Sequence, residues 1–375
     1  MILSTPDLAH FLCTPEDIEK RIDRIDPQAY GESRNELEGA VTWLSPFLTH
    51  GVIDTTTVAS RLLATHQAQD CYRLLFELAW REYVHRVWQR SGAAIFSDMR
   101  QAQAGETVPA LPKAILHSGI QIRTVDECLE HLQREGLMHN HARLWVAGIV
   151  CNMAHTHWYE AARWFHYHLL DGDLASNTLS WQWVAGTFSH KVYVANQDNI
   201  NRYSPVSEHG TWLDVPYEAF ENFTTPPVLM ERAEWQEREQ LPSNLDSCLP
   251  GTPVESLTGS VALYSLWQLD PDWQPEAQHR ILFIDTDWHR AWPMSQKRWN
   301  LIAHWADQLG LEIYYGTVDD LREAASEAQL LRREYPACDH WPGRIEERRW
   351  LYPLPEKSFN SFSQYWKQVR GSLGL

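Results

Sequence analysis

No two cysteines in this 375-residue chain have Cys-x-x-Cys spacing; Cys13, Cys71, Cys128, Cys151, Cys248 and Cys338 are scattered. This excludes a thiolate-built zinc or iron–sulfur centre and offers no disulfide framework, so the expectation is a reduced, cytoplasmic protein that needs no metal. The opening residues lack a charged n-region and an apolar h-region. No apolar run is long enough to cross a bilayer, so neither secretion nor a membrane span is expected. Positive charge is also short: 32 Lys and Arg stand against 49 Asp and Glu, a net charge of −17. That argues against nucleic-acid binding driven by bulk charge, while leaving room for a local basic patch. Phosphate loops of the GxGxxG or GxxxxGK[ST] type are missing, as are repeats and low-complexity tracts. Tryptophan is abundant, with 19 residues. Most of these indoles suit core packing; the rest are available to a cofactor, a stacked base or electron transfer.

Residues 1–200 read as mostly helical, with apolar residues recurring at three and four positions, as in the run from Cys71 to Tyr83. Thr124 and Glu127 read as a capping box that opens a helix ended by Gly136. The next helix starts near His139 and runs to the 160s with a break. Residues 201–275 hold nine of the twenty prolines and read as a connection with short helical turns, anchored by aromatics such as Trp212 and Trp267. Residues 276–375 read as a small α/β unit. Strands are expected at 280–285 and 311–315, and helices at 295–309 and from Val318 to about Glu334, in a parallel sheet.

Three stretches carry chemistry. In the first, Asn140, Arg143, Asp171, Gly172, Asp173, Asn177, Trp181 and Trp183 fall in one short block, which suits a pocket for a large planar ligand with polar edges. Asn140 and Arg143 share a helix face. In the second, Val41-Thr42-Trp43-Leu44-Ser45-Pro46 reads as a helix start, with Ser45 as cap and Pro46 in the first turn, where unpaired N–H groups suit phosphate. In the third, Glu77, Trp80 and Arg81 fall at i, i+3 and i+4 on one helix face.

Together these stretches resemble the photolyase/cryptochrome family. The signatures are Met138-His139-Asn140, Asp171-Gly172-Asp173-Leu174-Ala175, the Ser-Pro element and Glu77-Leu78-Ala79-Trp80-Arg81-Glu82-Tyr83. The resemblance implies an all-helical FAD-binding domain over 1–200, followed by the small α/β unit. It assigns the flavin to Tyr30, Val41, Thr42, Trp43, Leu44, Ser45, Glu77, Arg81, Asn140, Arg143, Asp171, Gly172, Asp173 and Asn177. It assigns catalysis to Glu77, Trp80, Asn140 and Asn177, and DNA contacts to Arg34, Trp80, Asn140 and His141. Electron transfer falls to Trp181 and Trp158, with Trp164 or Trp145 standing in for a third indole. The chain departs from the family at Trp43, where arginine is usual, and at His141, where arginine is frequent. It also lacks the α/β antenna domain that standard members carry first, a feature closer to a short bacterial branch.

The function implied is light-driven repair of cyclobutane pyrimidine dimers in damaged DNA, single strands included, by electron transfer from reduced flavin. The rival is a cryptochrome-like photoreceptor that signals through a protein partner. Glu77, Trp80 and Asn177 favour repair; the acidic balance and His141 favour sensing.

Overall fold

In a computed structural model of the chain, the described residues are 6–189, 191–241, 245–352, 359–373 and 375. The chain forms two compact units, each assembled from separated stretches. One comprises residues 1–8, 32–41 and 90–241; the other comprises 9–31, 42–89 and 242–375. Among the described residues no helix is long and apolar enough to cross a membrane.

The first unit is helical. Its main helices are Arg123–Glu135, Asn140–Gly148, Trp158–His168 and Leu174–Ala185, and they close over a core that includes Leu129, Trp145, Trp158, Trp164, Trp181 and Trp235. Each indole withdrawn from water contributes on the order of 3 kcal/mol. The expected break after residue 148 is a π-helical turn, Ile149–Met153, that precedes the next helix. Gly136 ends its helix at φ 77°, and a Cβ there would meet the His168 carbonyl at 2.8 Å, so both backbone angle and close approach demand glycine. The start of that helix differs from expectation. Its cap is Ile122, without a side-chain bond, and Asp126 rather than Thr124 or Glu127 does the capping work. The Asp126 carboxylate accepts the Ile120 and Gln121 N–H groups at 2.7 and 3.1 Å. Thr124 instead meets Ser204, and Glu127 pairs with Arg123.

The second unit carries a parallel six-stranded sheet: β1 (Thr252–Pro253), β2 (Thr258–Tyr264), β3 (His279–Asp285), β4 (Glu312–Gly316), β5 (Glu327–Arg333) and β6 (Arg344–Glu346). The spatial order is β1-β4-β3-β2-β5-β6, and all pairings are parallel. The chain therefore winds one way from β2 and then returns to build the other side, a doubly wound arrangement. The run from Ile281 to Asp285 is buried throughout, as a central parallel strand requires. Two expectations are corrected. The segment 201–275 contains β1 and β2 and is not only a connection. The helix from Val318 stops at Ala324, and Glu327–Arg333 is a strand. Its residues favour helix in isolation. Pairing with β2, from Thr258 opposite Glu327 to Leu263 opposite Arg332, overrides that preference.

The long helix Tyr72–Ser91 belongs to this second unit through Gln89. Its face, rather than its ends, carries the residues of interest.

Candidate functional site

In the first unit, sequence-local geometry builds a polar cluster. His139 caps its helix, with Nδ1 accepting the His141 N–H at 3.1 Å. This frees Asn140 to stand exposed in the first turn, with Arg143 one turn further on. Arg143 Nε donates to the Met138 carbonyl at 2.9 Å. Its Nη2 donates to both oxygens of Asp171, at 2.9 and 2.8 Å. The Asp171 side chain is 4% exposed and that of Arg143 is 25%, so the pair is largely withdrawn from solvent. Two residues later, Asp173 caps the helix Leu174–Ala185 through the Ser176 N–H at 2.7 Å. Asn177, in the first turn of that helix, donates Nδ2 to the Ala162 carbonyl at 2.8 Å, which turns its amide oxygen the other way. A guanidinium, two carboxylates and two amides are thus set within one folded stretch. Such a set offers donors and acceptors to the edge of a planar heterocycle, and the donor chemistry fits a flavin.

Two histidines flank this cluster. Burial, then His141 and Arg143, hold the His139 imidazole down at about 4. Burial also lowers His141. Both rings bond backbone of the neighbouring Arg34–Asn35 stretch, and His141 packs on Tyr203 at 4.3 Å. Of the tryptophans, Trp181 is buried against Phe165 at 4.9 Å, and Trp158 is buried with Nε1 donating to Asp98 at 2.6 Å. Trp145 and Trp164 are buried too, donating to Asn199 and Glu239. Trp183 faces out at 41% exposure.

The second unit holds the remaining site residues apart from Arg34, Val41 and Gly172, which belong to the first. Ser45 is the first residue of the short helix Ser45–Thr49 rather than its cap; Leu44 holds the cap position without a side-chain bond, and Pro46 is in the first turn. The displacement has a local cause. Trp43 takes φ 51°, a left-handed angle that costs a bulky residue about 1 kcal/mol, and the turn is tightened by the Leu44 N–H reaching Thr42 Oγ1 at 3.4 Å. Tyr30 lies half-buried on the helix Pro27–Ser33.

Glu77, Trp80 and Arg81 do share a face of Tyr72–Ser91, and Trp80 and Arg81 have separate neighbours. Arg81 donates to Thr49 Oγ1 at 3.1 Å. It lines a cleft of about 170 Å³ at the C-terminal ends of β2 and β5, together with His85, Trp267 and Arg333. Trp80 is covered: the ring of Phe362 lies on it at 3.7 Å, only 13° from parallel.

Sequence reasoning passed over Glu82 and Phe362. Glu82 is buried at 4% exposure. It accepts N–H groups from Leu351 and Tyr352 and the Tyr365 hydroxyl, and it pairs with Arg86. The i, i+4 spacing to Arg86 was the only local signal for it. Nothing near Phe362 in the sequence marks it as a partner of Trp80.

Residues 74–212 match the family model described as the FAD binding domain of DNA photolyase. A deoxyribodipyrimidine photo-lyase of Streptomyces griseus is 33% identical over 165 residues, which covers 42% of this chain and 35% of that protein. A cryptochrome DASH of Vibrio parahaemolyticus is 29% identical over 174 residues, covering 42% and 38%. The matched segment thus spans little more than a third of these curated relatives. Among solved structures, a Synechocystis cryptochrome overlaps 65% of this chain and 53% of its own, at 20% identity and a TM-score of 0.47.

Proposed function

We propose that this chain, whose residues 74–212 match the FAD binding domain of DNA photolyase, is a photolyase-like flavoprotein that binds FAD and splits cyclobutane pyrimidine dimers in DNA under blue light. FAD, once bound and reduced, supplies the photoexcited electron that opens the dimer and returns. The observation that carries this reading is the Arg143–Asp171 ion pair, with Asp173 and Asn177 held by bonds of their own a few residues further along. The Arg143–Asp171 pair presents the edge of the flavin ring with a fixed plane of charge. Asp173 accepts from the ribose or adenine side, and the Asn177 oxygen accepts an N–H without adding a negative charge. Thr42 and Ser45, with the first-turn N–H groups beside them, serve the diphosphate. Glu77 and Asn140 polarise the lesion carbonyls, and Trp80 stacks on the extruded bases, a contact of roughly 1–3 kcal/mol per base. Trp181 and Trp158 relay electrons to the flavin.

The test is a purified, FAD-loaded and reduced protein given an oligothymidylate that carries one dimer. The expected result is loss of dimers in blue light and none in the dark, with turnover cut at least tenfold in Glu77→Ala. Flavin bound and reduced with no turnover would sink the repair reading. A second reading, light sensing through a protein partner, is favoured by one observation: one face of Trp80 is already covered by Phe362. Photoreduction of the flavin without dimer loss is its expected signature.

A further inference from the structure

We propose that Asp98 takes the indole proton of Trp158 when Trp158 gives up an electron, and so turns the oxidised ring into a neutral radical. The inference rests on the reading that Trp158 relays electrons to the flavin, and it adds where the positive charge goes. Both residues lie in the first unit.

Trp145, Trp158, Trp164 and Trp235 are fully buried in that unit, and a buried indole N–H requires an acceptor. The four acceptors differ in charge. Trp145 donates to the neutral amide oxygen of Asn199 at 3.1 Å. Trp164 donates to Glu239 at 3.3 Å, a carboxylate already paired with Arg238 at 2.6 Å and bonded to His168 at 3.1 Å. Trp235 donates to Glu160 at 2.9 Å, which is paired with Arg163 at 2.9 Å. Trp158 has the shortest bond, 2.6 Å to Asp98 Oδ1. Among the described residues no arginine or lysine pairs with Asp98; its other partners are the Gln103 N–H at 3.0 Å and the His157 imidazole at 3.5 Å. His157 Nδ1 accepts the Tyr159 N–H at 3.3 Å, so the ring keeps its proton on Nε2, the atom that faces Asp98. His157 therefore steadies the carboxylate and does not compete with it as a base at that atom.

An uncompensated carboxylate beside a buried ring favours positive charge on that ring. Loss of an electron is thus favoured at Trp158 over Trp145, whose acceptor is neutral, and over Trp164 and Trp235, whose acceptors already face arginine. The step balances. One electron leaves the Trp158 ring for the photoexcited flavin, the one-electron oxidant. The Nε1–H bond then breaks, its electron pair stays on the nitrogen, and its proton passes along the existing hydrogen bond to Asp98 Oδ1. The products are a neutral indolyl radical and a carboxylic acid, so no separated charge is left beside the buried ring. An electron that returns must now recover the proton as well, which slows recombination. The Asp98 side chain is 24% exposed while Trp158 is shut off from solvent, so the carboxyl group is also the outlet through which the proton exchanges with water.

The test uses the full chain loaded with oxidised FAD and transient absorption after a blue flash, in light and heavy water. Cationic and neutral indole radicals have different visible spectra, so the proton is followed without any turnover. In the natural chain the neutral radical should form with a solvent isotope effect. Asp98→Asn keeps an acceptor oxygen for the indole and removes the base; it should leave the radical cationic and shorten its lifetime at least about tenfold. Asp98→Glu should restore the neutral form. In the flavin-free protein, the Trp158 indole N–H proton resonance, assigned by its loss in Trp158→Phe, should move upfield in Asp98→Asn, because a charged acceptor has been exchanged for a neutral one. An unmoved resonance would show that the bond is not made and would overturn the acceptor. So would a radical in Asp98→Asn with the spectrum and lifetime of the natural chain, and in that case the relay still stands. If Trp158→Phe leaves radical formation unchanged, or if no radical forms with FAD bound, the relay through Trp158 falls and the acceptor falls with it.

Discussion

Arg143, Asp171, Asp173 and Asn177 find their partners inside one stretch of chain from Met138 to Asn177, whereas Tyr72, Phe76, Trp80 and Glu82 are completed by residues far away, Leu351 lying 269 positions beyond Glu82. The first region is polar and prearranged: its bonds are made before any ligand arrives, so a ligand pays little to organise it. The second is aromatic and occupied, and a ligand must first displace part of the chain. A site whose parts are neighbours in sequence is rigid and readable. A face whose partner comes from far along the chain is adjustable, because that partner can leave without breaking the helix that carries the face.

The largest effect expected from breaking this contrast comes from Arg143→Ala. It leaves the buried Asp171 carboxylate without its counter-charge, which costs about 3–5 kcal/mol, more than the net worth of the pair itself. Urea unfolding of the flavin-free protein measures it. A cost below about 1 kcal/mol would mean that the cluster is neither prearranged nor desolvated.

Acid should separate the same regions next. His139 titrates near 4 in the folded chain because burial, then His141 and Arg143, disfavour its charge. Unfolded, it titrates at about 6.5. The folded state therefore holds fewer protons between these values. The penalty is absent above about pH 6.5, grows as pH falls, and levels off below about 4 at about 3 kcal/mol. His139→Gln should remove this part of the slope when unfolding free energies at pH 7 and pH 5 are compared. His289, buried in the second unit and also held down to about 4, is untouched by that change and leaves its own slope in place. Loss of the whole slope in His139→Gln would contradict the two-unit picture.

Glu82→Gln probes the second region, with an expected cost of about 2 kcal/mol, since two N–H groups and a phenol are left to compete for one amide oxygen. Burial, then the Glu82 charge, hold the Tyr365 phenol well above its ordinary range, and the substitution should bring it down. Ultraviolet titration of tyrosine reads this directly. No change would show that Tyr365 is not fastened to Glu82.

What was legible follows the same division. The periodicity of Tyr72–Ser91, the strand His279–Asp285 and the helix ends at Gly136 and Gly310 are set by nearby residues, and they stand where the pattern puts them. The Arg143–Asp171 pair forms as well, across the helix Trp158–His168 that separates its members in sequence. Glu327–Arg333 was misread because strand pairing with Thr258–Tyr264 outweighs its helical composition. Ser45 lost its cap role to the backbone angle of Trp43, which composition does not encode. The cover over Trp80 had no local trace at all, since stacking between Trp80 and Phe362 depends on the fold of the whole second unit.

The smallest effect tests that lesson at one helix start. The pattern Thr124-x-x-Glu127 makes Glu127 the partner of a capping box, and on that basis Glu127→Ala should cost about 1 kcal/mol. The structure assigns the work to Asp126, whose carboxylate accepts two N–H groups, while Glu127 pairs with the exposed Arg123 at 3.3 Å. Asp126→Ala should then cost about 1.5 kcal/mol and Glu127→Ala under about 0.5 kcal/mol, because exposed pairs contribute little. Paired urea titrations of the two variants decide it. Equal losses would restore the box and show that a motif of adjacent residues can be read without its surroundings. The expected inequality instead shows that even a four-residue signal is settled by which carboxylate the preceding loop, Ile120 to Ile122, folds back to meet.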